Sequence, residues 1–106
     1  MKIFIDSANV EDIRKAADII CDGVTTNPTL IMKEGRNYNE ALVEICNIVN
    51  GPVSAETVAL DAEGMVKEGE AFAKLHKNII VKVPMTQQGM KACRLLTGKG
   101  ILVNVT

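Results

Sequence analysis

Five short apolar runs recur along this chain at roughly 25-residue spacing, and the first four each lead into a stretch of helical periodicity. The first run is KIFID, Lys2 to Asp6. After it Val10, Ile13, Ala17 and Ile20 recur at helical spacing, with Asn9 placed as an N-cap and Glu11 and Asp12 in the first turn. DGVTT, Asp22 to Thr26, is the second run, and Asn27-Pro28 ends it. The loop KEGRN then leads to a helix from about Tyr38 to Val49, opened by Asn37 with Glu40 three residues on and striped by Leu42, Ile45 and Val49. Gly51-Pro52 punctuates before VSAET, the third run. Asp61 caps the next helix, whose inward stripe is Met65, Phe72 and Leu75, although Gly64 and Gly69 weaken it. NIIVKVP follows, then a helix capped by Thr86, carrying Met90, Cys93 and Leu96 and closed by Gly98 and Gly100. ILVNVT is the fifth run. Four helices between five strands, with crossovers this long, require parallel strands joined in the right-handed sense.

Two architectures satisfy that rhythm: an open doubly wound sheet and a (β/α) barrel. No G-x-G-x-x-G follows the first strand, which tells against a dinucleotide fold. Side-chain parity favours the barrel, because residues two apart on a strand share a face. Phe4 pairs with Asp6 in this sense, Thr25 with Asn27, Ser54 with Glu56, Ile80 with Lys82, and Leu102 with Asn104 and Thr106. Each strand thus ends in a polar residue while its opposite face is mainly aliphatic. A barrel needs that pattern: outward faces packed under helices and a polar ring at the mouth.

Lys82 stands out within that ring. It interrupts a continuous apolar run, NIIVKVP, that reads as a strand covered on both faces. Lysine is rarely buried without compensation, and a desolvated amine loses its charged form and becomes a nucleophile able to form a Schiff base with a carbonyl. For this run by itself, the alternative is an edge-strand lysine pointing at water; the shared phase of the other four strands tells against it. Composition narrows the remaining classes. Twelve basic and thirteen acidic side chains leave a net charge of −1, so neither nucleic acid nor an anionic membrane is an expected partner. Neither a signal-peptide pattern nor an apolar run near 18 residues is present, and a cytoplasmic protein is expected. Cys21, Cys46 and Cys93 are odd in number and widely spaced, and read as thiols of a reducing compartment. With His76 as the single histidine, taken as a surface or packing residue, no metal site is expected.

The segments IFIDSAN, GVTTNPTLI, VSAET, VKVP and LVNVT, in this order and spacing, closely resemble the transaldolase family, including its short bacterial and fructose-6-phosphate aldolase branches. GVTTNP and VKVP are the specific ones, and the resemblance runs from residue 1 to residue 106. It implies a (β/α)8 barrel, here its first half in a single partial domain, and class I aldol chemistry with no cofactor and no metal. It implies that Lys82 forms the Schiff base and that Asp6 moves the proton at the carbon–carbon bond being made or broken. Glu56 would act through a water in forming and hydrolysing the imine. Asn27 would hold the donor, and Asn104 and Thr106 would line the same pocket, with Thr25 beside them at the rim. The implied substrates are sugar phosphates of the pentose phosphate pathway. Glutamate at position 56, where the aldolase branch tends to carry glutamine, favours transaldolase over aldolase.

The physical roles agree with those assignments. Loss of water from the lysine adduct needs an acid–base group, which Glu56 on the adjacent strand supplies through one water. Asn27, Asn104 and Thr106 contribute by orienting sugar hydroxyls. Against these roles stand simpler ones: Asn27 as a turn residue, Asp6 as a helix cap, Glu56 and Thr25 as solvated rim residues. A closed barrel of this type takes at least roughly 200 residues. Five strands therefore leave two open sheet edges and three readings: a fragment of a longer enzyme, a half-barrel completed by association, as in a homo-oligomer, or a non-catalytic remnant.

Overall fold

In a computed structural model, residues 4–6, 9–17 and 23–106 are described. The expected start of the first strand at Lys2, the Ile20 end of the first helical stripe, Cys21 and the expected strand start at Asp22 lie outside them. The elements follow the sequence rhythm: β1 (Phe4–Asp6), α1 (Val10–Ala17), β2 (Gly23–Thr25), α2 (Pro28–Lys33), α3 (Tyr38–Ile48), β3 (Val53–Glu56), α4 (Ala62–Leu75), β4 (Ile79–Val83), α5 (Gln87–Gly98) and β5 (Val103–Val105). All four strand pairings are parallel, and the spatial order is β1-β2-β3-β4-β5. A doubly wound sheet reverses its order at a switch point. Strictly sequential addition of strands is barrel winding, and the fold is the first half of a (β/α)8 barrel, incomplete in this chain.

The helices start where short polar side chains can satisfy their free N–H groups. Asn9 Oδ1 accepts from the Asp12 N–H at 3.1 Å, Asn37 Oδ1 from Glu40 at 3.1 Å, Asp61 Oδ1 from Gly64 at 3.1 Å and Thr86 Oγ1 from Gly89 at 3.0 Å. The described residues form five helices, not the expected four. Asn27 does more than end β2: its Oδ1 accepts from the Thr29 and Leu30 N–H groups at 2.9 and 3.3 Å, and Pro28 occupies the first helical position. Proline there loses no hydrogen bond and arrives with a helical φ, so a dipeptide that looks like a stop signal nucleates α2. Gly35 (φ +76°) and Gly100 (φ +79°) take the left-handed turns after α2 and α5. His76 closes α4, its Nδ1 accepting the Asn78 N–H at 3.1 Å.

The core lies between the sheet's aliphatic face and the helices. Val24, Val53, Ala55, Ile79, Val81 and Val83 point into it and meet Ile13, Leu42, Ile45, Met65, Phe72 and Leu96, all buried. Each such aliphatic side chain contributes about 1.5–3 kcal/mol by leaving water. Along β4 the alternation is regular: residues 79, 81 and 83 are buried, whereas Ile80 and Lys82 are half-exposed. The expectation that NIIVKVP is covered on both faces is thus corrected. Helices cover one face, and the face carrying Lys82 stays partly open among the described residues. A second correction concerns α5. Met90 is 50% exposed, and the helix packs inward through Gly89, Ala92 and Leu96, with Cys93 half-buried beside them. The small residues let α5 lie close to β4 and α4, which turns the bulkier Met90 outward.

Candidate active site

Lys82 sits on β4, an interior strand hydrogen-bonded on both sides, so the edge-strand alternative does not apply. Its register partners are Glu56 on β3 and Asn104 on β5. The three residues therefore stand side by side on three adjacent strands, at the carboxyl ends where barrel sites form. Lys82 Nζ lies 3.8 Å from Glu56 Oε2, and the two side chains are 25% and 32% exposed. That pair is half-desolvated: more than a solvated surface contact, less than a sealed ion pair.

The other expected residues form a second row. Asp6, Thr25 and Ser54 are in mutual register across β1, β2 and β3, two residues short of the Glu56 row. Asp6 is exposed and belongs to a strand three places from β4. At the usual strand spacing that is roughly 14 Å along a flat sheet, a span that curling towards a barrel shortens. Thr25 is half-buried and lines the same face. Asn27 lies beyond the end of β2, and its cap leaves Nδ2 as the remaining donor. Thr106 continues the β4–β5 ladder through backbone bonds, its N–H to Val83 O at 3.0 Å and its carbonyl accepting the Met85 N–H at 2.6 Å. Asn104 and Thr106 are both exposed. The fold thus brings Lys82, Glu56 and Asn104 together and leaves Asp6 and Thr25 at a distance.

Several residues that hold this geometry carry no conspicuous sequence signal. β2 stops pairing at Thr25–Ser54, while β3 runs on to Glu56. Where the ladder lapses, hydroxyls take over. Thr26 donates its N–H to Ser54 Oγ (3.2 Å), and its own Oγ1 donates to Ser54 O (2.5 Å) and lies 2.6 Å from the Tyr38 hydroxyl. The Tyr38 hydroxyl also accepts the Glu56 N–H at 2.9 Å. Burial pushes the Tyr38 phenol above its ordinary value, despite the opposing hydrogen bonds from Thr26 and the Glu56 backbone. The loop after β3 is held by Glu68, whose two carboxylate oxygens accept the Val58 and Ala59 N–H groups at 2.9 and 2.7 Å. Gln88 Oε1 accepts the Ala62 N–H at 2.9 Å and joins that loop to α5. Parity could have flagged Thr26, which faces away from Thr25; Tyr38 reads only as the start of a helix.

Fold and site together define a class: a parallel β/α half-barrel with a lysine and a carboxylate paired at the mouth. The sequence pattern described as "Transaldolase/Fructose-6-phosphate aldolase" matches residues 3–106. A protein of Clostridium acetobutylicum named "Probable transaldolase" is 58% identical, the alignment covering 100% of this chain and 50% of that protein. Two further proteins of that name, from Clostridium botulinum and Parvibaculum lavamentivorans, are each 57% identical, again over 100% of this chain and 49% of their own length. The chain belongs to the transaldolase/fructose-6-phosphate aldolase family. It spans about half the length of the curated relatives it matches.

Proposed function

We propose that this chain is the Schiff-base-bearing half of a transaldolase-type enzyme that moves a dihydroxyacetone unit between sugar phosphates in the cytoplasm. Residues 1–106 act as one partial barrel domain that needs no cofactor and is completed by association. The observation that carries the proposal is the row Glu56–Lys82–Asn104, with the amine 3.8 Å from a carboxylate oxygen.

In this reading the neutral Lys82 amine attacks the donor ketone, and the carbinolamine expels water as Glu56, through one water, delivers the proton. The iminium then accepts the electron pair of the carbon–carbon bond that breaks. Asp6 removes the proton from the hydroxyl beyond that bond, and the first aldehyde leaves. The enamine returns its electron pair to the acceptor aldehyde, Asp6 gives the proton back to the new hydroxyl, and water regenerates the amine. Thr25, Asn27, Asn104 and Thr106 orient the sugar hydroxyls, which lowers the entropic part of the barrier. No helix among the described residues is long and apolar enough to cross a membrane, which is compatible with an aqueous sugar-phosphate site.

Borohydride reduction with fructose 6-phosphate, followed by peptide mass spectrometry, tests the proposal. A reduced adduct on Lys82, absent in Lys82→Met, is expected; no adduct in a folded sample overturns it in favour of a non-catalytic half-barrel. A second reading, aldolase-type cleavage that releases free dihydroxyacetone, is separated by adding erythrose 4-phosphate. Transfer to that acceptor supports transaldolase, and Glu56 favours the same side.

A further inference from the structure

The hydroxyls between β2, α3 and β3 form a chain whose direction can be assigned. Thr26 Oγ1 has one proton and donates it to Ser54 O, so towards Tyr38 it can only accept. The Tyr38 hydroxyl must then donate to Thr26, which leaves its oxygen free to accept the Glu56 N–H. The path runs Glu56 N–H to Tyr38 O–H to Thr26 O–H to Ser54 C=O, beginning and ending on β3. Bonds aligned head to tail in this way polarise one another.

The position of this chain explains its existence. Val24 N–H bonds to Pro52 O, one rung of the parallel ladder. Two residues on, a regular ladder would have Thr26 exchange its backbone N–H and C=O with Ser54 O and Glu56 N–H. Thr26 instead turns into the Asn27 cap of α2. Its side chain replaces its backbone donor, and the Tyr38 hydroxyl replaces its backbone acceptor. Without them, β3 would present an unmet carbonyl and an unmet N–H at the residue whose carboxylate faces Lys82. Burial pushes the Tyr38 phenol above its ordinary value and so favours the protonated donor on which the chain depends. The Tyr38 ring is braced edge-on against Phe72, with centroids 5.8 Å apart.

We infer that Tyr38 is a positioning residue for the imine chemistry: its hydroxyl stands in for the missing β2 rung and holds the Glu56 backbone, and through it the carboxylate, against Lys82. The inference rests on the function proposed above, and its test separates the two. In the intact protein, Tyr38→Phe keeps the ring and deletes the hydroxyl. Hydrogen exchange at the Glu56 amide is expected to accelerate by about tenfold or more, with the Val53 and Val81 amides unchanged. Thr26→Val breaks the chain one link further on with the tyrosine in place, and the same loss of Glu56 protection is expected. Lys82 trapping at saturating fructose 6-phosphate is expected to slow about tenfold in Tyr38→Phe, with half-saturation nearly constant. In a Glu56→Gln background, the same change should slow trapping by less than about twofold, because the route through the carboxylate is already cut. Equal slowing in both backgrounds, or undisturbed Glu56 protection, overturns the inference. If the unaltered protein yields no adduct, the proposed function fails, and exchange at Glu56 alone decides the positioning role.

Discussion

At the residue scale, the chemistry depends on how far each titratable group is removed from water. Lys82 and Glu56 are half-desolvated at the sheet's open face and keep a quarter to a third of their side-chain surface exposed. Cys46 shows the opposite extreme. Only 4% exposed on α3, it has its thiol pushed up by burial from 9.0 to about 11. Below pH ~9 both the folded and unfolded chains keep that proton. Between there and about 11 only the unfolded chain releases it, so alkali draws stability out of the fold as pH rises through this window. Thiolate is the species that alkylates. Iodoacetamide near pH 8 should therefore modify the half-buried Cys93 well before Cys46, which should react only when urea opens the chain; peptide mass spectrometry reads both. Labelling of native Cys46 at the rate of an unfolded thiol would contradict its burial.

At the scale of elements, the approach of α5 to β4 and α4 is set by glycines, and magnitudes decide which of them matters. Replacing glycine by alanine within a helix gains roughly 1 kcal/mol of propensity. At Gly69 a Cβ would sit 2.9 Å from the Leu96 methyls, which can rotate away, so gain and crowding nearly cancel. At Gly89 it would lie 1.8 Å from the Pro84 carbonyl oxygen, backbone that cannot retract without disturbing the β4–α5 turn. Gly89→Ala should cost about 2 kcal/mol or more and Gly69→Ala within about 1 kcal/mol of zero. Urea midpoints would show the order, and a Gly89→Ala as stable as the parent would contradict it. Gly69 reads as a weakness in a helical pattern, yet it marks a close approach to Leu96, and Gly89 marks a closer one to the Pro84 backbone.

At the scale of the whole molecule, β1 and β5 are the outer strands of the sheet, and among the described residues neither has a second strand beside it and the polar face is left uncovered by helices. Unpaired edge groups pair readily with other strands, and parallel sheets are normally covered on both faces. Association that covers these surfaces is the expected behaviour of the 106-residue chain, visible as a mass above the monomer that falls on dilution in size-exclusion chromatography with light scattering. A compact monomer at every concentration would show that the edges are blunted and would remove association from the proposed function. The arrangement also explains why the two rows of candidate residues differ. Lys82, Glu56 and Asn104 are neighbours by register alone, whereas Asp6, three strands from β4, would serve the proposed chemistry only if the sheet curls towards a barrel.

How much was legible follows from which interactions are local. The strand and helix alternation, the Asn9, Asn37, Asp61 and Thr86 caps, and the phase that puts Glu56, Lys82 and Asn104 on one face are encoded by neighbours within a few residues, so the sequence by itself determined them. Asn27-Pro28 was misread because the same dipeptide ends a strand and starts a helix, and only the packing of Ile31 in the core distinguishes the two. Met90 was misassigned because helical periodicity does not reveal that small residues would bring α5 so close to its neighbours. The strand order, the register that sets Lys82 beside Glu56, and the hydroxyl path through Tyr38 were decided by the tertiary structure. Each joins groups far apart in the chain, and such pairings take shape only when the sheet and helices close around one core.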